Sequence, residues 1–207
     1  MNLIILKKDN ILPLISASAV LNDYVKFRRI SFHKIYETLL QNYLFAGYPS
    51  ALVSLKILKE FYPSKKISKA ADMNLYHFRQ RGEINCRKVY GNKYAKLIKN
   101  IKNFSPDLAE WLVLEGYGKV LGRNGLSFKE RELCVVAVLT VLKFEDQLYS
   151  HIGGAVKSGS STSEIQELIK TLGVFRKKRF VSFGLKVLRK YETKMVSFNT
   201  DTTKQNI

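Results

Sequence analysis

Two cysteines among 207 residues leave little room for thiol chemistry of the familiar kinds. Cys86 and Cys134 lie far apart and form no CxxC, so neither a disulfide framework nor a thioredoxin-like site is suggested, and a reducing cytoplasm is the expected location. Histidine is as scarce. His33, His77 and His151 belong to no ligand-spaced Cys/His cluster, so no metal is expected, nor any cofactor. Long apolar runs are missing as well: none reaches the roughly 18 residues of a membrane-spanning helix, and no membrane partner is expected. Ile11 to Ala19 is a short apolar run ending like a signal-peptide cleavage site. Lys7-Lys8-Asp9-Asn10 interrupts the apolar stretch that begins at Leu3, so a secretory signal is not expected.

Acidic side chains are in the minority, 17 against 35 basic ones, for a formal charge of +18. Such a field attracts nucleic acid, anionic membranes or acidic ligands at low salt. The lysines are scattered as on solvated faces, however, and the one dense run is Arg176-Lys177-Lys178-Arg179, so a nucleic-acid partner is not expected. Also absent is any alternation of polar and apolar residues that would mark a strand. With 46% of residues apolar, the chain can build a sizeable core as one domain or two closely packed halves, and the fold class expected is all-α.

Helix punctuation is plentiful. Ser105-Pro106-Asp107 offers a capping serine, a proline at the first helical position and an acid in the first turn. The helix it starts carries Leu108, Trp111, Leu112, Leu114, Tyr117 and Leu121 as an expected buried stripe, with Trp111 and Tyr117 in the core, and closes at Gly122. Ser127 and Glu130 are spaced as a capping box and open a helix whose Leu133–Leu139 segment is apolar all round. A further helix is predicted from about Glu145 to Ser158, stopped by Gly159, and Ser161 and Glu164 begin another. Nearer the N-terminus, a helix over Ile35–Phe45 is broken at Gly47-Tyr48-Pro49 and resumes from Ser50 to Tyr62. These signals divide the chain into an N-terminal helical half (1–64), a basic connector with short helices interrupted at Gly82 and Gly91 (65–103), a second helical half (104–196) and a polar tail expected to be disordered (197–207).

The chain also repeats itself without gaps at an offset of 130 residues. Ile35, Glu37, Leu39, Phe45 and Leu55 to Lys59 align with Ile165, Glu167, Ile169, Phe175 and Leu185 to Arg189, and Phe61 aligns with Tyr191. Two amphipathic helices share apolar periodicity by default. The shared Glu and the ungapped helix–turn–helix length go further and indicate two related helical halves. Glu37 and Glu167 themselves read as early-helix charges rather than a catalytic pair.

Arg131-Glu132-Leu133, the apolar helix, Gln147-Leu148-Tyr149-Ser150-His151, Gly154-Ala155, Gly159 and Glu164-Ile165 together resemble the carboxymuconolactone decarboxylase family and its alkylhydroperoxidase D-like (AhpD-like) relatives. Phe45-Ala46-Gly47-Tyr48-Pro49 resembles the end of the same domain. The resemblance covers roughly Ile35–Lys59 and Leu108–Leu188 and implies an AhpD-like helical bundle that assembles as a homo-oligomer, here expected to be a dimer or trimer. In the alkylhydroperoxidase D branch the site is a Glu, a CxxC and a His. On this sequence the Glu falls on Glu132 and the His on His151, but the cysteine positions are Phe144 and Gln147, which supply neither nucleophile nor disulfide.

The decarboxylase branch lacks the CxxC too. The resemblance therefore implies a cofactor-free site in which His151 is the proton donor, Gln147 shares its helical face and Glu132 orients or charges the imidazole. Arg131 or Tyr48 would hold the carboxylate or enolate of a small carboxylated or lactone-type metabolite. Two alternatives stay open. One is a catalytically silent oligomeric binding or scaffold protein in which His151 and Glu132 are a structural pair. The other is an atypical thiol peroxidase using Cys134 or Cys86, although Cys134 reads as a buried core thiol.

Overall fold

A computed structural model describes residues 10–23, 30–67, 73–175 and 178–204, and among these the chain is all-α, with no strand. Two compact units are present. The first combines residues 1–30 with 128–207, and the second spans 31–127.

In the first unit the central element is α7 (Phe128–Leu142), which begins one residue after Ser127 and is buried without interruption from Arg131 to Val141. An apolar surface on every side requires neighbours on every side. These are α1 (Ile11–Leu21), α8 (Glu145–Lys157), α9 (Thr162–Thr171) and α10 (Lys178–Lys204). Each fully buried Leu, Ile or Val here contributes about 1.5–3 kcal/mol relative to exposure. Helix α1 is the short apolar run Ile11–Ala19, and it is a core element: Leu12 to Ala19 are all buried, with small residues Ser16, Ala17 and Ser18 letting its backbone approach α7 closely. It ends on Asn22, whose left-handed φ of 52° suits asparagine. Asn10, which precedes it, donates from Nδ2 to Thr171 Oγ1 at 3.3 Å and so ties α1 to the end of α9.

The predicted stops and starts of α8 and α9 are present. Gly159, at φ 95°, follows the end of α8, and Ser161 caps α9 in a reciprocal box. The Ser161 Oγ accepts from the Glu164 amide at 3.1 Å while the Glu164 carboxylate accepts from the Ser161 amide at 2.7 Å. That backbone donor, followed by Lys129, holds the Glu164 carboxyl below its ordinary range. A depressed folded value means that the stabilisation is complete above the unfolded value of about 4.3 and is lost as pH falls through the folded one. Glu164→Ala is expected to cost about 1 kcal/mol at neutral pH, mostly through the cap because the exposed Lys129 pair adds little. Urea melts of the two proteins at neutral and acid pH check this, and their midpoints should converge in acid.

The second unit holds α2 (Phe32–Gln41), α3 (Tyr43–Phe61), α4 (Leu75–Tyr90), α5 (Tyr94–Lys102) and α6 (Pro106–Trp111). The predicted break falls inside α3, where Gly47 adopts φ 77° and ψ 169° two residues before Pro49. Ser105 caps α6 as expected, its Oγ accepting from the Leu108 amide at 3.2 Å. From Leu112 to Val120 the chain then winds as a π-helix, with the Leu121 amide donating to Gly116 O five residues back. Each turn takes an extra residue, so the stripe extrapolated from α-helical spacing does not hold. Ala109, Val113, Gly116, Tyr117, Gly118, Val120 and Leu121 are buried, whereas Leu108 and Trp111 are exposed, which corrects the placement of Trp111 in the core.

Packing of α4 against this π-helical stretch explains Gly82. A Cβ on Gly82 would lie 2.0 Å from Val113 O, and one on Gly118 would lie 2.1 Å from Phe78 O, so the two backbones touch and run antiparallel. Arg81 Nε donates to Gly118 O at 2.7 Å and Asn85 Nδ2 to Tyr117 O at 3.0 Å, satisfying carbonyls at the wide turn. Gly82 is therefore a packing residue within a 16-residue helix that occupies much of the segment read as a connector.

The repeated acids part ways. Glu167 is exposed, as a helix-surface charge should be, but Glu37 is buried and accepts from Arg123 Nε at 3.1 and 3.0 Å and from Arg123 Nη2 at 2.7 Å. Its reading as an early-helix charge is corrected accordingly: a buried carboxylate is retained because a guanidinium meets it in a fork. Arg176 and Lys177 of the dense basic run lie outside the described residues. Helix α10 extends into the segment read as a tail, of which 205–207 are outside the described residues.

Candidate functional site

Glu132 projects from the first turns of α7 and His151 from the middle of α8, and the two meet with Glu132 Oε2 2.8 Å from His151 Nδ1. Both are buried, Glu132 with 1% and His151 with 6% of its surface exposed. A carboxylate on Nδ1 fixes the ring's orientation and turns Nε2 away from Glu132.

The approach depends on Gly154. A Cβ there would fall 2.6 Å from Glu132 Oε2 and 2.8 Å from its Cδ, so only glycine lets the carboxylate lie against the flank of α8. Two adjacent glycines in mid-helix, Gly153 and Gly154, each cost about 1 kcal/mol of helix propensity relative to alanine. That cost is the signal in the sequence that something packs against them.

Gln147 lies one turn before His151 on α8 and is exposed. Phe144, at the position just before α8, is also exposed. At this end of α8, Glu145 accepts from Lys190 Nζ at 2.7 Å with Lys186 Nζ at 3.7 Å, and the Lys190 bond holds its carboxyl below the ordinary range. Arg131 precedes Glu132 on α7 and is buried. Tyr48 belongs to the other unit, on α3, exposed and with its ring 5.1 Å from that of Tyr43. Of the five expected site residues, direct contact joins Glu132 and His151. Gln147 shares the helix of His151, and Arg131 shares that of Glu132.

The thiols are remote from reactivity. Cys86 and Cys134 form no disulfide and are fully buried, and burial pushes the Cys86 thiol up to about 12. In the folded protein both should react with a disulfide reagent only as fast as the chain opens, far more slowly than in denaturant. Fast labelling of either at neutral pH would contradict the burial. Among the described residues no three of His, Cys, Asp and Glu come together as a ligand set.

Residues 106–178 match the model of the carboxymuconolactone decarboxylase family. That stretch contains Arg131, Glu132, Gln147 and His151 and leaves Tyr48 outside. Over 136 residues the chain is 28% identical to Peroxisomal protein 2 of Schizosaccharomyces pombe, covering 64% of this chain and 63% of that protein. Over 82 residues it is 32% identical to 4-carboxymuconolactone decarboxylase of Acinetobacter baylyi, covering 39% of this chain and 61% of that protein. The matched stretch thus spans less than two thirds of either relative's length.

Proposed function

We propose that this chain, whose residues 106–178 match the carboxymuconolactone decarboxylase family, is a cofactor-free decarboxylase acting on a small carboxylated or lactone-type metabolite. The observation that carries the reading is the buried Glu132–His151 pair, whose 2.8 Å contact needs Gly154 because a Cβ there would strike the carboxylate. In the reaction the bond between the substrate's carbon and its carboxylate breaks, carbon dioxide leaves, and the electron pair passes into the lactone as an enolate. His151 Nε2 then gives a proton to that carbon and recovers one from water. Glu132 offsets the positive charge that the imidazole carries before it donates, and Gln147, exposed one turn away, is the proposed hydrogen-bonding partner of the substrate. Of the two candidate holders of the carboxylate or enolate oxygen, Arg131 and Tyr48, the proposed one is Arg131, which shares the helix of Glu132, because Tyr48 belongs to the other unit.

The test is carbon dioxide release from a carboxylated lactone, with peroxide consumption as control, by wild type and by His151→Ala. Release by wild type alone supports the reading. No release by either folded protein overturns it.

The burial of the pair favours a second reading, a catalytically silent oligomeric binding or scaffold protein, since a site with 6% of its histidine exposed admits little. Self-association as a dimer or trimer is part of both readings, and sedimentation as a monomer at micromolar concentration would contradict it. Two buried, unbridged cysteines suit the reducing cytoplasm. The name of the fission-yeast relative offers the peroxisome as the alternative address.

A further inference from the structure

The segment from Ile84 to Pro106 contains six basic residues, Arg87, Lys88, Lys93, Lys96, Lys99 and Lys102, and no acidic one. All six are exposed. Helix α5 lies at its centre, and none of the residues of α5 is buried, although its apolar side chains are gathered on one side. Next to α5 packs α6, where Leu108 and Trp111, three residues apart, share one face and are 51% and 55% exposed. Phe104, in the turn between the two helices, is 74% exposed. A phenylalanine, a leucine and a tryptophan thus stand exposed on and beside a helix packed against α5, which carries Lys96, Lys99 and Lys102. Of the two exposed acids of α6, Asp107 sits in the first turn and Glu110 is paired with Arg79 of α4.

We propose that the α5–α6 corner of the second unit is a docking surface for an anionic phospholipid bilayer, with Phe104, Leu108 and Trp111 entering the headgroup region and the lysines of α5 meeting the lipid phosphates and carboxylates. Lysine around Trp, Phe and Leu is the composition that holds a helix in the interfacial plane. Tryptophan prefers that depth because its ring is apolar and its N–H is polar. No helix among the described residues is long and apolar enough to cross a membrane, and surface docking needs none. A second copy of the chain fits this surface poorly, because a symmetric contact would press two sets of six cations together. Nucleic acid would use the cations and leave the apolar side chains without a partner.

Trp111 is the only tryptophan in the chain, so its fluorescence reports on this surface directly. The full chain is titrated with vesicles of equal parts phosphatidylcholine and phosphatidylserine, with pure phosphatidylcholine vesicles, and with duplex DNA. The expected result is a blue shift and vesicle co-sedimentation with the anionic vesicles alone, weakened by salt. Each lysine near the surface is worth on the order of fivefold in partitioning, so Lys96→Gln, Lys99→Gln and Lys102→Gln combined should weaken binding on the order of a hundredfold. Phe104→Ser with Leu108→Ser, both at exposed sites and so compatible with folding, should abolish the blue shift. An unshifted Trp111 with anionic vesicles overturns the proposal. So does a response to DNA alone, or a concentration-dependent dimer that the Phe104→Ser, Leu108→Ser pair dissolves.

Discussion

Gly82→Ala is expected to destabilise the second unit by about 3 kcal/mol, and Gly118→Ala by a similar amount, because each added methyl would strike a backbone carbonyl rather than a side chain that can turn aside. The distances are 2.0 Å to Val113 O and 2.1 Å to Phe78 O, well inside any real Cβ contact. Relief requires α4 and the π-helical stretch to separate, which would also pull Arg81 and Asn85 away from the carbonyls of Gly118 and Tyr117. Alanine is otherwise the better helix former, so an effect of propensity alone would have the opposite sign. Denaturant unfolding followed through Trp111 reads this unit selectively, since the sole tryptophan lies in it. An unchanged midpoint in both variants would mean that the two backbones are not in contact.

Gly154→Ala separates function from stability. The obstructed atoms here are the carboxylate end of Glu132, 2.6 Å from the new methyl, and a side-chain end can swing aside where a backbone carbonyl cannot. Alanine adds helix propensity, but the buried carboxylate loses its partner, so the variant should unfold at a moderately lower denaturant concentration than wild type. Its chemistry should suffer far more. Displacing Glu132 by about 1 Å breaks the 2.8 Å contact with His151 and leaves the ring free to turn, an error that costs about 100-fold in rate when it falls on a catalytic group. Decarboxylation by the variant at matched concentration, alongside its melt, checks both halves. Full activity in Gly154→Ala would show that Glu132 does not act through His151.

What the sequence makes legible is what is local, and the glycines of α4 and α8 lie at the limit of that. Ser105-Pro106, Gly47-Tyr48-Pro49 and the Ser161–Glu164 box are local signals whose physics is complete within a few residues; the first and last sit at the helix starts they imply, and Gly47-Tyr48-Pro49 sits at a kink inside α3. For the all-round apolar Leu133–Leu139, which periodicity alone does not separate from a buried strand, the Ser127–Glu130 spacing and the length to Leu142 favour a buried helix, and α7 is that helix. Trp111 was misplaced because a π-helical stretch changes the number of residues per turn, a change that periodicity extrapolated from α-helix cannot register. Glu37 was misread because its partner Arg123 lies 86 residues away in sequence. At the site, spacing placed Gln147 and His151 one turn apart, and the family pattern singled out Glu132. The role of Gly154 depends on a third dimension: the carboxylate it accommodates comes from another helix, and a glycine's neighbours are not written beside it.

The central claim is that His151, oriented by Glu132, delivers a proton to the carbon that loses its carboxylate. Running the reaction in heavy water and determining the position and face of deuterium in the product tests this most directly. The account predicts one deuterium at that carbon, on a single face, with wild type, and loss of turnover on the order of 100- to 10,000-fold in His151→Ala. Equal deuterium on both faces with wild type, or unchanged turnover in His151→Ala, would contradict it.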